Sequence, residues 1–184
     1  SYSGLLYVTV FDNLETIVCR NNLGTAKEPW TYQERTKTLY VGSDSVRQGK
    51  FTLSFRIPMD INYSSLSGLI NMYAIDNTRT REAQGSFDSF LLGDTDETLS
   101  NDSAGPKMKV YLNSPDFTTR DKVNETPRLI VMLEDSDGIN AIGNSIGHDI
   151  IATIDGQASM TYNLNSYYQS AFGDYTRGTI SYIL

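Results

Sequence analysis

The chain has one cysteine, one histidine and one tryptophan among its 184 residues. A single cysteine, Cys19, excludes an internal disulfide, so no disulfide scaffold holds the fold together. It fixes no compartment, because many bacterial surface proteins also lack disulfides. A single histidine, His148, is not a metal site by itself. Proline is scarce, at five residues. No apolar run approaches the roughly 18 residues a membrane-spanning helix needs, which excludes direct membrane insertion by helices. No stretch keeps a helical period beyond about ten residues. That excludes βαβ crossovers and leaves antiparallel sheets. No repeat recurs at a fixed period.

Basic patches are missing as well. Lys and Arg number 15 against 22 Asp and Glu, a net charge of −7, and no basic run stands anywhere. A groove that tracks phosphates needs clustered Lys and Arg. The composition therefore speaks against nucleic acid and against an anionic membrane surface as partners, and the acidity serves solubility. The opening residues, SYSGLLYVTVF, carry no basic n-region and run straight into a strand pattern, so they do not form a signal peptide. A start without Met reads as a piece of a longer protein.

What is present is globular. Hydrophobic residues make up 39% and charged residues 20%, a composition that folds rather than one that stays disordered. The length suits one large domain or two small ones. Twelve tyrosines suit half-buried strand faces.

Periodicity predicts an all-β fold. Residues 5–11 form the first strand, with Leu6, Val8 and Val10 on one face and both faces largely apolar, which places it centrally. Asp12-Asn13 marks a turn. Residues 16–20, carrying Cys19, form the second strand. Residues 21–35 read as a long loop in which Trp30 is a lid on the core. Residues 37–41 give a short strand, and 42–49 turn the chain. Residues 50–57 carry the cleanest alternation, with Phe51, Leu53, Phe55 and Ile57 inward, and predict an antiparallel strand that Pro58 ends. Residues 69–75 and 83–92 complete the first unit.

The polar stretch 93–106, GDTDETLSNDSAGP, marks the boundary between two units, 1–104 and 105–184. In the second unit, strands are expected at 108–112, 129–133, 150–154, 160–164 and 179–184, with a helical turn or two within 165–172. Five strands fall short of the seven or so of an immunoglobulin-like sandwich. The expectation is thus two antiparallel β-sandwich domains, the second immunoglobulin-like and truncated at its C-terminus. Its last strand is expected to need a further partner strand and to invite edge association without it.

The densest set of reactive groups lies in the loop after residue 133: Asp135, Asp137, Asn140, Asn144, His148 and Asp149. Cys19 with His148 is the obvious nucleophile–base pair. Cys19 sits in an apolar strand, where a buried thiol is the ordinary state. The run GINAIGNS lacks the Lys of a phosphate loop, with Asn144 in its place, and leads to a strand rather than a helix. An EF-hand loop starting at Asp135 fails at its sixth and twelfth places, Asn140 and Ile146. Asp135 and Asp137 remain candidate ligands for a cation in a sandwich loop. The simpler reading is that Asp, Asn and Gly are there to make turns. No catalytic residue, cofactor or essential metal is expected. Three glycosylation-type triplets, at Asn62, Asn101 and Asn124, are ascribed to chance in a chain rich in Asn, Ser and Thr.

Five stretches occur in order: GKFTLSFRIPMDI (49–61), SFDSFLLGDTDE (86–97), GPKMKVYLN (105–113), EDSDGINAIGNSIGHDIIATIDG (134–156) and YTRGTISYIL (175–184). Together they resemble the region that follows the peptidase domain in gingipain-type cysteine peptidases of Bacteroidetes, and among these the PorU-like sortases of the type IX secretion system. The resemblance implies a place at the outer-membrane surface. There, the parent sortase removes C-terminal signals from secreted cargo and helps attach the cargo to the cell. It implies as partners the rest of the parent peptidase and secretion-system or cargo proteins. The catalytic histidine of such peptidases is followed by glycine. Here Asp149 follows His148 and the glycine precedes it, and Cys19 matches no catalytic block. No catalytic residue carries over. The expectation is a non-catalytic structural and docking region. The alternative is an independent binding module, calcium-dependent or carbohydrate-binding, that uses Trp30 and surface tyrosines.

Overall fold

The computed structural model describes residues 2–25, 27–58, 61–94, 104–141 and 149–184. Among them the chain is all-β and antiparallel throughout, consistent with β-sandwich architecture. No helix among the described residues is long and apolar enough to cross a membrane.

The first sheet is built around β1, Gly4–Phe11. Strict alternation buries Leu6, Val8 and Val10 and turns Leu5 and Tyr7 outward. Short β-branched residues fit the pleat, so local preference and burial agree here. After β1 come β2, Glu15–Val18, and β3, Thr31–Glu34, which among the described residues pair with each other as a two-stranded ribbon. β4 is Thr38–Val46, β5 Leu69–Asp76 and β6 Glu82–Phe87. The sheet order is β4-β1-β5-β6, so β1 is central, as its two apolar faces predict. Its core gathers Leu6, Val8, Val10, Leu39, Tyr40, Val46, Ile61, Ala74 and Leu92.

The second sheet contains β7, Lys107–Leu112, and β8, Arg128–Glu134. β9, Ile151–Thr153, and β10, Thr161–Asn163, form a small separate hairpin. One 3-10 turn, Asn165–Tyr167, leads to β11, Tyr168–Ala171, and β12, Asp174–Ile183. The order is β11-β12-β8-β7. Leu129, Val131, Leu133 and Ile180 line its inner face, and Leu164 covers them with Ile150, Ala152 and Tyr162 from the hairpin. Tyr168 lies across Gly178 of the neighbouring strand so closely that a Cβ there would overlap its ring.

The structure corrects several expectations. Residues 50–57 form no strand: Leu53 and Phe55 pack on the first core, but Phe51 and Ile57 are exposed. An extended segment lying on a core alternates like a strand without a ladder partner, so periodicity reports faces and not hydrogen bonds. The 21–35 loop contains β3, and Trp30 is 68% exposed rather than a lid. β4 runs on through the expected turn to Val46. Of the 150–154 run, expected to be buried, Ile151 is exposed, because its hairpin stands apart from the main sheet. β12 is not short of a partner, being bonded to β11 on one side and β8 on the other. Most of the expected boundary, residues 95–103, lies outside the described residues.

Candidate functional site

The loop after β8 is shaped by turn chemistry. The Asp135 carboxylate accepts the Asp137 amide at 2.9 Å, and the Gly138 amide closes a turn on the Asp135 carbonyl at 3.0 Å. Gly138 takes φ of +90°, a value that favours glycine. Asp side chains that bond backbone two residues on are a standard turn device. Asp135 also extends the ladder, its amide donating to the Thr176 carbonyl at 2.8 Å.

The remaining described groups are bonded to other parts of the chain. The Arg56 guanidinium donates to the Asp137 carboxylate. Asn165 Nδ2 donates to the Ala141 carbonyl at 3.0 Å, and its Oδ1 accepts the Ile150 amide at 2.9 Å. Asn163 Nδ2 donates to Asp149 at 3.0 Å. Ile139 packs in the second core. Asp135 and Asp137 thus serve the turn and an ion pair, and among the described residues no three His, Cys, Asp or Glu side chains gather as metal ligands. Asn144 and His148 lie outside the described residues.

This loop borders a seam between the two sheets. Arg56 belongs to the extended segment on the first core, and Asp137 to the second sheet's loop. Tyr175, on β12, packs against the first core, and a Cβ on Gly138 would lie 3.1 Å from its ring. The Gly173 amide, in the β11–β12 turn, donates to the Ser43 carbonyl of β4 at 2.8 Å. Tyr40 stacks on Phe55 with ring centres 5.0 Å apart. Burial, and then the Asp44 and Asp174 carboxylates, push the Tyr40 hydroxyl above the ordinary tyrosine range. Asp174 itself is held low by the Thr176 hydroxyl and the Arg177 guanidinium. Such an arrangement can join two sheets.

Cys19 lies elsewhere, half-buried at the end of β2, its amide donating to the Trp30 carbonyl at 2.8 Å. Trp30 stacks on Tyr32 with centroids 5.6 Å apart, and Val18 and Leu23 are also exposed on this ribbon. A broad open groove of about 530 Å³ crosses the outer face of the first sheet, lined by Tyr7, Thr9, Asn71, Tyr73, Gln84 and Ser86 among others. Its lining holds no carboxylate, cation, cysteine or histidine.

Sequence reasoning missed a buried polar latch. Asp12 and Asn13, read as a plain turn, are each 1% exposed. Asp12 accepts the Asn62 and Asn13 amides at 2.6 and 2.7 Å. Burial pushes its carboxyl above the usual range, with those two amides pulling the other way. Asp76 closes the β5–β6 turn in the same manner, accepting the Thr80 and Arg81 amides at 2.9 and 3.1 Å. No pattern in a single sequence separates such latches from exposed turns of the same composition.

Over 99% of its length the chain is similar to part of dimeric latent PorU from Porphyromonas gingivalis, in a crystal structure, with 33% identity and a TM-score of 0.57. It spans 17% of that chain. No protein-family model matches, and no curated protein does. The similarity supports a PorU-like relationship and agrees with the resemblance drawn from the quoted stretches.

Proposed function

We propose that this chain is a non-catalytic structural and docking region of a longer, gingipain-type cysteine peptidase of the PorU-like kind. The parent acts at the bacterial outer-membrane surface or outside it. Its other regions, with secretion-system or cargo proteins, are the partners of this one. Residues 1–104 and 105–184 are its two units. The observation that carries the reading is how the polar loop is used. Asp135, Asp137 and Asp149 are engaged by amides, Arg56 and Asn163 within the fold, and none lines the broad groove. Groups that work on a substrate converge on a pocket. These are engaged by other parts of the fold, Asp137 by Arg56 across the seam.

The test uses the chain and the peptidase portion of its parent as separate polypeptides. The chain alone leaves Arg and Lys reporter peptides uncut, and it co-elutes with the peptidase portion in size-exclusion chromatography. Cleavage by the chain that disappears in Cys19→Ala overturns the reading.

The stacked, exposed Trp30–Tyr32 pair favours a second reading, a binding module that takes a carbohydrate. Trp30 is the only tryptophan, so its fluorescence reports that ribbon alone. Quenching by neutral oligosaccharides, lost in Tyr32→Ala, supports this second reading; an unchanged spectrum removes it.

A further inference from the structure

The second sheet ends, among the described residues, at β7. Among the described residues β7 pairs with β8 alone, in the register Met108↔Leu133, Val110↔Val131 and Leu112↔Leu129. Met108 and Val110 therefore share the face of the buried core residues Val131, Leu133 and Ile180. Yet they are 64% and 51% exposed. The apolar face continues one strand farther than the described residues that cover it.

The backbone points the same way. The Asn113 amide donates to the Arg128 carbonyl at 2.7 Å, one step beyond β7 in the same register. Hydrogen-bonded and non-bonded pairs alternate along an antiparallel ladder. Lys109 and Tyr111 thus bond toward β8, and the N–H and C=O groups of Met108 and Val110 face the open edge. The Leu112 carbonyl is taken by the Ser114 amide at 2.7 Å, which closes the edge at that end.

Charge sets the partner's chemistry. In a chain of net charge −7, β7 and β8 together carry Lys107, Lys109 and Arg128 against one carboxylate, Glu134. Glu134 stands opposite Lys107, and Lys109 stands opposite Met132. All of these lie on the outer face by alternation.

We propose that β7 accepts an extended segment of alternating apolar and acidic residues by strand addition, which deepens, and rests on, the docking role above. Apolar side chains of the incoming strand extend the core beside Met108 and Val110. The acidic residue between them meets Lys109 across the new ladder, within the roughly 4.5–5.5 Å that separates cross-strand neighbours. Main-chain bonds supply affinity and alternate side chains supply selectivity, as in other strand-addition complexes. A second copy of β7 paired Met108 to Met108 sets Lys107 against Lys109, and edge lysines guard against such pairing.

The test titrates the whole chain into a labelled eight-residue peptide of alternating Val and Glu, followed by fluorescence anisotropy. Controls are alternating Val and Lys, and four Val followed by four Glu. The expected result is binding of the Val/Glu alternation at least tenfold tighter than either control. Val110→Pro removes an edge N–H without touching a bond to β8 and weakens binding about tenfold. Lys109→Glu, which leaves every backbone group in place, shifts preference toward the Val/Lys peptide. Equal affinity for the three peptides overturns the proposal, as does binding indifferent to both substitutions. So do slow hydrogen exchange at Met108 and Val110 in the free chain, which means the edge is already covered, and a dimer formed through β7. Failure here, with co-elution with the peptidase portion intact, removes strand addition alone. Peptide binding without co-elution removes the docking role instead.

Discussion

Asn13 and Leu92, 79 positions apart in sequence, exchange two hydrogen bonds inside the first sheet's core: Asn13 Nδ2 donates to the Leu92 carbonyl at 2.6 Å, and the Leu92 amide donates to Asn13 Oδ1 at 3.1 Å. The same Nδ2 reaches the Asn62 carbonyl at 2.9 Å. One side chain thus ties the end of β1 to two segments that belong to no strand.

Removal of that amide leaves a buried N–H and two buried carbonyls with fewer partners. Each such group costs about 1–3 kcal/mol. Asn13→Ala is expected to destabilise the chain by about 2–5 kcal/mol in urea denaturation, with Asn71→Ala, on the exposed outer face, within about 0.5 kcal/mol of wild type. Equal effects at the two positions show that the latch carries no load.

Asp76 gives the first sheet an acid limb. Burial alone pushes its carboxyl up, but hydrogen bonds from the Arg81 and Thr80 amides, the Thr78 hydroxyl and the Arg81 guanidinium outweigh that and hold it well below the ordinary range. A carboxylate whose folded-state pKa is depressed stabilises the fold fully above its unfolded value of about 3.9 and loses that contribution as pH falls toward the folded value. Asp12 works in the opposite sense: raised by burial, its contribution is full below the unfolded value and lost as pH rises through the folded one. The melting temperature is expected to fall below about pH 4, and Asp76→Asn to flatten that fall while lowering stability at pH 7. An unchanged acid limb in the variant assigns it to other carboxylates.

A chelator is expected to leave the melting temperature unchanged, and millimolar calcium to leave it unchanged too. Asp137 is engaged by Arg56, and Asp135 by the Asp137 amide. A cation site filled a hundredfold above its dissociation constant adds about 2.7 kcal/mol, or about 5–10 °C in a chain of this size. A calcium-dependent rise of that order, lost in Asp135→Asn, establishes a cation site in the loop.

Much of the architecture was legible because burial writes itself into alternation. Leu6, Val8 and Val10 in β1 and Leu129, Val131 and Leu133 in β8 stand at every second position and face the two cores. The same rule misled at Phe51–Ile57, where the segment is extended and lies on a core but has no ladder partner. Ribbon β2–β3 was half seen, since the Thr31–Glu34 strand is exposed along its whole length and buries nothing to betray it. The loop's turn chemistry at Asp135 and Gly138 followed from residue type. The destination of Asp137's charge did not: Arg56 lies 81 positions away, and only the folded chain brings the two together.

That ion pair and the Tyr175 ring make opposite predictions for the seam. Arg56 and Asp137 keep side-chain exposures of 34% and 44%, so solvent screens their attraction. Pairs of this kind contribute about 0.2–1 kcal/mol. Arg56→Ala is expected to shift stability within that range and to keep a single unfolding transition. Tyr175 differs because it is a β12 residue packed on the other sheet's core, beside the turn whose Gly173 amide is bonded to Ser43. An aromatic ring supplies apolar area that no exposed ion pair matches. Tyr175→Ala is expected to cost about 2–4 kcal/mol and to uncouple the halves, with two resolved transitions by calorimetry in place of one. Each half keeps a core of its own, so each still unfolds cooperatively once the seam is weakened. A single transition in Tyr175→Ala means the halves share stability through other contacts, and then residues 1–104 and 105–184 are one cooperative unit.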